Sequence, residues 1–336
     1  MKFFPLILIL VLLVGLCAGC QSSGQEAQIA ATTLPVYEFT ARLCDGTGLT
    51  VTQLVTESVS CLHDYSLNVR QVRAVEAAEL IIINGAGLEE FMSDLLADKP
   101  VVDSSRGIAQ LDCHEHHDHG QEDHGHNHET DSHIWLSPEN AMIMAQNICA
   151  GLSDRYPEHR DRFAENLISL EGEFLALQTY AEEQLSDLSC RELITFHDGF
   201  AYFAQAFDLT ILEAVEEDSG SEASAAELKE LIALVEDHHL PAIFTEKLGS
   251  VSAAGIISAE TDAAVYALDM AMHGESYFEA MYHNIDTVKE ALECDKCSMA
   301  ETAAIPAVCG STGCPSKLAA TKFCRMSVFM STAASW

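Results

Sequence analysis

Short apolar runs alternate with amphipathic segments along most of the chain. The run at 80–84 (LIIIN) has four consecutive apolar residues, which is typical of a strand covered on both faces in a parallel sheet. The segments between such runs place apolar residues three and four positions apart, the spacing of one helix face. This alternation predicts an α/β protein with mainly parallel sheets. The predicted strands are 28–33, 51–55, 80–84, 100–103, 192–196, 210–215, 242–245 and 265–268, and the predicted shorter helices are 36–43, 69–78, 88–96, 138–155, 200–207, 225–238, 253–262 and 277–292.

A longer amphipathic segment follows Pro157. Its apolar positions are three or four residues apart and keep one face apolar over about 40 Å of helix, at 1.5 Å per residue. These positions are Phe163, Leu167, Leu170, Phe174, Leu177, Ala181 and Leu185. The pattern predicts two lobes with mainly parallel four-stranded sheets, joined by one long rigid helix. The predicted boundaries are 1–20 for a signal, 21–27 for a tether, 28–155 for the first lobe, 156–187 for the linking helix, 188–293 for the second lobe and 294–336 for an atypical tail.

The first twenty residues have the pattern of an export signal. Lys2 precedes an apolar run at 3–16, which is too short to span a bilayer comfortably. Small residues directly before Cys20 resemble the lipobox of bacterial lipoproteins, although Cys17 stands where leucine is usual. We therefore expect lipidation of Cys20, an extracytoplasmic location on the bacterial cell membrane, and a flexible tether after the anchor.

The net charge of −35 excludes one class of partner. A chain without a basic patch cannot release counterions from phosphate, so nucleic acid is not an expected ligand. The acidity suits an exported protein with a cationic cargo, and it equally suits a surface whose charge only supports solubility. Both explanations remain open at the level of the sequence.

Histidine is concentrated in the segment 113–130. Seven histidines fall within fifteen positions, interleaved with aspartate and glutamate: His114, His116, His117, His119, His124, His126 and His128. Imidazole is the commonest neutral ligand of borderline-soft divalent metals, so this composition predicts an auxiliary metal-binding loop. The alternative is a solvated polar loop with a chance bias.

A second set of metal-ligating residues is spread over both predicted lobes. His63, His133, His197 and Asp269 lie at or near loops that follow strands, two in each half of the chain. Ligand-binding crevices in open α/β sheets lie beyond the carboxyl ends of strands. Three imidazoles and one carboxylate form a closed four-coordinate set that suits Zn²⁺. Any one of these histidines alone would more often be an ordinary polar residue than a ligand.

From about residue 28 to 292 the chain resembles the cluster A-I metal-binding lipoproteins of bacterial ABC transporters, the family of the zinc-uptake binding proteins. The motifs that carry the resemblance are Leu62-His63-Asp64-Tyr65, Ile82-Ile83-Asn84-Gly85-Ala86-Gly87-Leu88-Glu89, Asp131-x-His133-x-Trp135-Leu136-x-Pro138, Phe196-His197-Asp198-x-Phe200 and Leu268-Asp269. The resemblance implies that His63, His133 and His197 coordinate the metal, with a fourth ligand or a nearby carboxylate at Asp269. It also implies two lobes on a rigid helix and an ABC permease as partner.

The expected function is capture of Zn(II) as a transported ligand and its delivery to the permease, by a protein that we expect to be a monomer. Manganese-handling relatives tend to use two histidines and two carboxylates, so three histidines favour zinc and make Mn(II) the lesser candidate. Two alternatives stay open: a manganese or iron carrier of the same family, and a surface zinc buffer or adhesin without transport.

A zinc hydrolase is the competing enzyme class. Catalytic zinc needs an open coordination position and a nearby general base, for which Asp64 or Glu89 are the available residues. The chain has no H-E-x-x-H motif or equivalent. We therefore expect that it is not an enzyme.

The cysteines are too few for a disulfide scaffold, at twelve in 336 residues. Cys44 and Cys61 lie close together in a predicted exported domain, so a disulfide between them is plausible. Cys149 and Cys190 lie in apolar contexts that indicate buried thiols. In the tail, 294–297 has the spacing of half a zinc knuckle without an ordered second half, and we expect a poorly ordered or frame-shifted segment.

Overall fold

Two parallel four-stranded sheets form the framework of the protein, as the sequence predicts. The computed structural model describes residues 27–58, 62, 65–111, 130–215, 223–274 and 276–293. The strand order is β2-β1-β3-β4 in the first sheet and β6-β5-β7-β8 in the second, so both lobes have the same topology. All neighbouring strands pair in parallel. The strands are β1 Ile29–Ala31, β2 Val51–Gln53, β3 Leu80–Ile83, β4 Val101–Asp103, β5 Glu192–Thr195, β6 Thr210–Ala214, β7 Ala242–Glu246 and β8 Ala264–Leu268.

The helices follow the predicted alternation with the strands. They are α1 Leu34–Leu43, α2 Val69–Ala77, α3 Ser93–Leu96, α4 Pro138–Arg155, α5 Arg160–Leu185, α6 Ala201–Ala206, α7 Ala225–His238, α8 Ser252–Thr261 and α9 Tyr277–Leu292. Side chains set several of their beginnings. Ser137 accepts a hydrogen bond from the Asn140 amide at the start of α4, and Ser224 forms a capping box with Glu227 at the start of α7.

The helix α5 packs against both lobes. Its 26 residues span about 39 Å at 1.5 Å per residue. Six of the seven predicted apolar positions are fully buried, and Leu167 is partly buried. Phe174 packs edge-to-face on Phe39 of α1, with ring centroids 5.2 Å apart, and contacts Tyr277 of α9 at 6.1 Å. One continuous hydrophobic core therefore includes side chains of both lobes and of the linking helix.

Polar contacts also join the two lobes near the strand ends. The Trp135 Nε1 donates a hydrogen bond to the Met270 carbonyl over 2.7 Å, and the Tyr277 hydroxyl donates to the Trp135 carbonyl over 2.8 Å. The Tyr202 hydroxyl of α6 donates to the Ala109 carbonyl over 3.2 Å. All three contacts connect loops of the first lobe with the second lobe. They therefore help to hold the two sides of the crevice in their relative positions.

One predicted helix is wrong in its extent. The segment 88–96 forms a 3₁₀ turn at Glu90–Met92 and the short helix α3 instead of one continuous helix. The Glu89 carboxylate accepts hydrogen bonds from the amides of Asn84 and Gly85, which holds this stretch in a loop. Gly87 has φ +85°, a left-handed conformation, so no helix extends across residue 87.

The predicted disulfide between Cys44 and Cys61 is not formed in the structure. Cys44 is a free thiol, only 4% exposed, packed in the core at the end of α1. Burial raises the pKa of the Cys44 thiol to about 12, which disfavours the thiolate that disulfide formation requires. Cys61 lies outside the described residues. Cys149 is a buried free thiol and Cys190 is also buried, as predicted.

Several predictions fall on residues that the structure does not describe. They concern lipidation of Cys20, most of the tether, the histidines of the auxiliary loop, the ligand His63 and the tail at 294–336. Among the helices of the described ranges, none combines the length and apolar character that crossing a bilayer would require.

Candidate metal centre

The carboxyl ends of the two sheets face each other across the crevice and carry the candidate ligands. His197 follows β5 at a distance of two residues, and Asp269 directly follows β8. His133 lies in the loop before α4 and is 3% exposed. In parallel sheets the strand ends meet at one edge, which explains why residues distant in the sequence come together here.

His133 and His197 form a close pair between the lobes. Their Nε2 atoms are 3.4 Å apart, and their ring planes are nearly perpendicular, at 86°. Two imidazole nitrogens bound to one tetrahedral zinc at 2.0–2.1 Å would lie about 3.3–3.4 Å apart. The separation of the two Nε2 atoms therefore fits a single shared ion.

Asp131 fixes the orientation of His133. Its Oδ1 accepts hydrogen bonds from the His133 backbone amide over 2.8 Å and from the His133 Nδ1 over 2.7 Å. A proton on Nδ1 leaves the lone pair on Nε2, the atom that faces His197. The Asp131-x-His133 spacing thus supplies both a candidate ligand and the carboxylate that orients it.

The Asn84–Glu89 loop supports the segment that precedes His133. The Asn84 Nδ2 donates to the Ser132 carbonyl over 3.0 Å. The Glu89 carboxylate in turn accepts hydrogen bonds from the Asn84 amide (2.7 Å), the Gly85 amide (3.0 Å) and the Thr32 hydroxyl (2.6 Å). Burial raises the pKa of Glu89 to about 7 against the lowering effect of these donors. The Asn84–Glu89 loop therefore supports the position of His133 at the crevice.

Asp269 lies at the crevice with its carboxylate already engaged. Its Oδ2 is 3.0 Å from the Lys247 Nζ, and its Oδ1 accepts a hydrogen bond from the Ala271 amide over 2.8 Å. The Asn284 side chain clamps the Asp269 backbone with two hydrogen bonds of 2.7 Å. Within the described residues, no three His, Cys, Asp or Glu side chains are gathered closely enough to hold an ion. The structure thus brings together His133 and His197, while Asp269 pairs with a lysine.

Glu246 is a residue of the crevice that the sequence analysis missed. It ends β7, is 3% exposed, and its Oε2 lies 3.9 Å from the His197 Nδ1. Burial raises the pKa of Glu246 to about 7; the proximity of His133 lowers it and that of Asp269 raises it further. The available signal was a glutamate that ends an otherwise uncharged strand, AIFTE, at the edge where the predicted ligands lie.

Buried polar atoms without hydrogen-bond partners are concentrated at these strand ends. Among the described residues they include the Asp131 Oδ2, Ser132 Oγ, Thr195 Oγ1, Glu246 Oε1 and Asn84 Oδ1. Folded proteins rarely leave such atoms unpaired, and groups of them mark places where water, an ion or a ligand binds. The crevice therefore has the polar character of a binding site.

The described residues that flank the histidine-rich segment lie close together beside this site. The Asp131 amide donates a hydrogen bond to the Leu111 carbonyl over 2.9 Å. The residues between them, 112–129, lie outside the described part of the chain. The hydrogen bond therefore holds the two flanks of the segment together two residues before His133 in the sequence.

Comparison with known proteins agrees with this geometry. A family model described as zinc-uptake complex component A, periplasmic (ZnuA) matches residues 29–291. The zinc-binding lipoprotein AdcA of Streptococcus pneumoniae serotype 4 is 27% identical over 307 residues, covering 84% of this chain and 60% of that protein. The zinc-binding protein AdcA of Streptococcus pyogenes serotype M1 is 25% identical over 292 residues, covering 79% and 56%. The chain thus spans about 60% of the length of these curated relatives.

A crystal structure of ZnuA is similar to this fold with a TM-score of 0.67 and 27% identity, over 79% of this chain and 99% of that one. The matched family and its curated relatives are described as zinc-uptake and zinc-binding proteins rather than as enzymes, in agreement with the class that the sequence predicts. The resemblance inferred from the sequence motifs is likewise confirmed. Because the family model matches most of its length, the chain belongs to the ZnuA family of zinc-uptake complex components.

Proposed function

We propose that the protein is an extracytoplasmic substrate-binding lipoprotein that captures Zn(II) between its lobes and delivers it to an ABC permease. The observation that carries this proposal is the pair of Nε2 atoms of His133 and His197, 3.4 Å apart in the crevice. One atom comes from each lobe, so an ion bound by both would connect the two halves of the molecule.

The donor chemistry supports zinc as the cargo. Imidazole nitrogen suits zinc, whereas carboxylate-rich sets suit manganese. His63 and Asp269 are proposed to complete a four-coordinate set. Binding by Asp269 requires that its Oδ2 leaves the Lys247 ammonium, which is half exposed and free to swing into solvent. Ligation also needs neutral imidazoles, so acidification should weaken capture.

The histidine-rich segment is proposed to collect zinc near the site. Its flanking residues Leu111 and Asp131 are joined by a hydrogen bond, and Asp131 contacts His133. Weak, exchangeable imidazole sites at this position would raise the local zinc concentration where the tight site opens. The lipid on Cys20 would keep the collected ion close to the permease, and family membership supports a role in uptake.

Zinc titration of the full chain tests the proposal. In competition with a chelator of known affinity, the wild-type chain should bind one zinc tightly, and the weak loop sites should not compete. His133→Ala and His197→Ala should each weaken the tight site by more than about 100-fold, since even residues that only orient ligands contribute about 10- to 100-fold.

The matched control is His283→Ala, because His283 is an exposed histidine of α9. It should bind zinc like the wild type. Tight binding that survives both substitutions, or the absence of a tight site in the wild type, would contradict the proposed function.

A further inference from the structure

We infer that Glu246 is a positioning residue of the metal centre, which accepts a hydrogen bond from the His197 Nδ1 and directs the His197 Nε2 toward the ion. The inference rests on the proposed function, because it assigns a further residue to the same site. It concerns a side chain that neither the motifs nor the family resemblance singled out.

The burial and contacts of Glu246 indicate few other roles for its carboxylate. The side chain is 3% exposed at the end of an interior strand, and its Oε1 has no hydrogen-bond partner among the described residues. A buried carboxylate with an unpaired oxygen is costly, so such groups are kept where they serve a ligand or a site. An ionisable nitrogen within ion-pair distance is the His197 Nδ1, at 3.9 Å from Oε2.

The side of the ring that Glu246 faces distinguishes positioning from direct ligation. Glu246 is next to the Nδ1 of His197, whereas the Nε2 of the same ring faces His133. A carboxylate behind the ring is placed to hold the Nδ1 proton and leave the lone pair on Nε2. Closing the gap from 3.9 Å to a charge-assisted hydrogen bond requires a shift of about 1 Å.

The first lobe contains the same arrangement of carboxylate and histidine, and there the hydrogen bond is formed. Asp131 lies behind His133, and its Oδ1 is 2.7 Å from the His133 Nδ1. Each lobe therefore contributes one histidine with a buried carboxylate behind it, and the two Nε2 atoms face each other across the crevice. Metal-bound histidines generally have such a partner on the second ring nitrogen, and its loss weakens metal binding about 10- to 100-fold.

Two substitutions separate a hydrogen bond from a plain charge effect. Glu246→Gln keeps an acceptor for the Nδ1 proton but removes the charge. Glu246→Met keeps the length of the side chain but removes both the acceptor and the charge. Zinc affinity should fall about 10- to 100-fold in the methionine variant and by less in the glutamine variant. The control is Glu260→Gln, an exposed acidic residue of the neighbouring helix α8.

A second readout follows the ring itself. Nitrogen-detected NMR of the metal-free full chain reports which nitrogen of His197 carries the proton. The wild type should populate the Nδ1–H form, and Glu246→Met should shift the population toward Nε2–H. Folding of each variant is checked by circular dichroism, and Glu246→Asp, which keeps the charge but withdraws the carboxylate, is the substitute if methionine prevents folding.

Wild-type affinity together with an unchanged ring tautomer in Glu246→Met, or in Glu246→Asp, would overturn the inference. Equal losses in the glutamine and methionine variants with an unchanged tautomer would also overturn it, because they indicate a charge effect alone. These results are distinguishable from a failure of the proposed function, in which the wild-type chain itself lacks a tight zinc site.

Discussion

The fold strongly changes the pKa of buried carboxylates. Glu89 lies in the first lobe, where it accepts hydrogen bonds from Thr32, Asn84 and Gly85 and has the acidic Asp103 nearby. Burial raises its pKa from 4.5 to about 7. The group therefore binds a proton in the folded state over a range of pH in which the unfolded chain has lost it.

This linkage predicts a pH dependence of stability. Because the folded pKa of Glu89 exceeds the unfolded value, the free energy of unfolding should fall as pH rises from about 4.5 through 7. The contribution is on the order of 3 kcal/mol. Urea denaturation of the metal-free chain between pH 5 and 8 should therefore show a smaller decline for Glu89→Gln than for the wild type.

The exposed neighbour Glu90 provides the control for this measurement. Glu90→Gln should follow the wild-type pH dependence closely. A difference between Glu89→Gln and the wild type that stays constant from pH 5 to 8 would show that Glu89 does not titrate in this range.

If Asp269 binds the metal as proposed, Lys247 competes with the metal for its carboxylate. The ammonium is 3.0 Å from the Asp269 Oδ2 and is half exposed, so the ion pair contributes about 1 kcal/mol or less. Lys247→Gln should therefore tighten zinc binding, by up to about fivefold. Lys229→Gln, at an exposed position on α7, is the control. Weaker zinc binding in Lys247→Gln would mean that the lysine supports the site instead of blocking it.

At the scale of elements, the linking helix α5 determines how the lobes are held together. Phe174 is fully buried and contacts aromatic rings of α1 and α9. Phe174→Ala should lower the free energy of unfolding by about 3–5 kcal/mol. Its neighbour Leu175 is 55% exposed, so Leu175→Ala should change stability by about 0.5 kcal/mol or less. Equal effects in urea denaturation would contradict the packing described for α5.

Elements with strong local signals could be predicted from the sequence. The helix α7 begins after Ser224 and ends at His238, as its capping pattern and apolar spacing predict. The limits of α9 were also predicted correctly. In both cases the information lies within a few neighbouring residues, so no tertiary contact is needed to find it.

Features set by distant contacts could not be predicted in the same way. The segment 88–96 looks helical by its apolar spacing, but the Glu89 carboxylate accepts hydrogen bonds from the Asn84 and Gly85 amides and from the hydroxyl of Thr32, which is 57 residues away in the sequence. Glu246 is one acidic residue among 52 aspartates and glutamates, so its type alone carries no signal. His133 and His197 were identified because strand ends and ligand-type residues coincide, but the pairing of Asp269 with Lys247 has no local signature.

At the scale of the whole molecule, the two lobes form one packed body. A continuous core and several hydrogen bonds, among them those of Trp135, Tyr202 and Tyr277, join the lobes around the crevice. A stiff helix between such lobes favours a small tilt or a local loop change on loading over a wide hinge movement. The metal is therefore expected to enter a site whose two histidines already face each other.

The central claim is that one zinc ion is bound by one histidine of each lobe. Anomalous diffraction at the zinc absorption edge, from crystals of the zinc-loaded full chain, tests it directly. The account predicts one strong peak in the crevice, about 2.0–2.1 Å from the Nε2 atoms of both His133 and His197. A crevice without a peak, or a peak that contacts only one of the two rings, would contradict it.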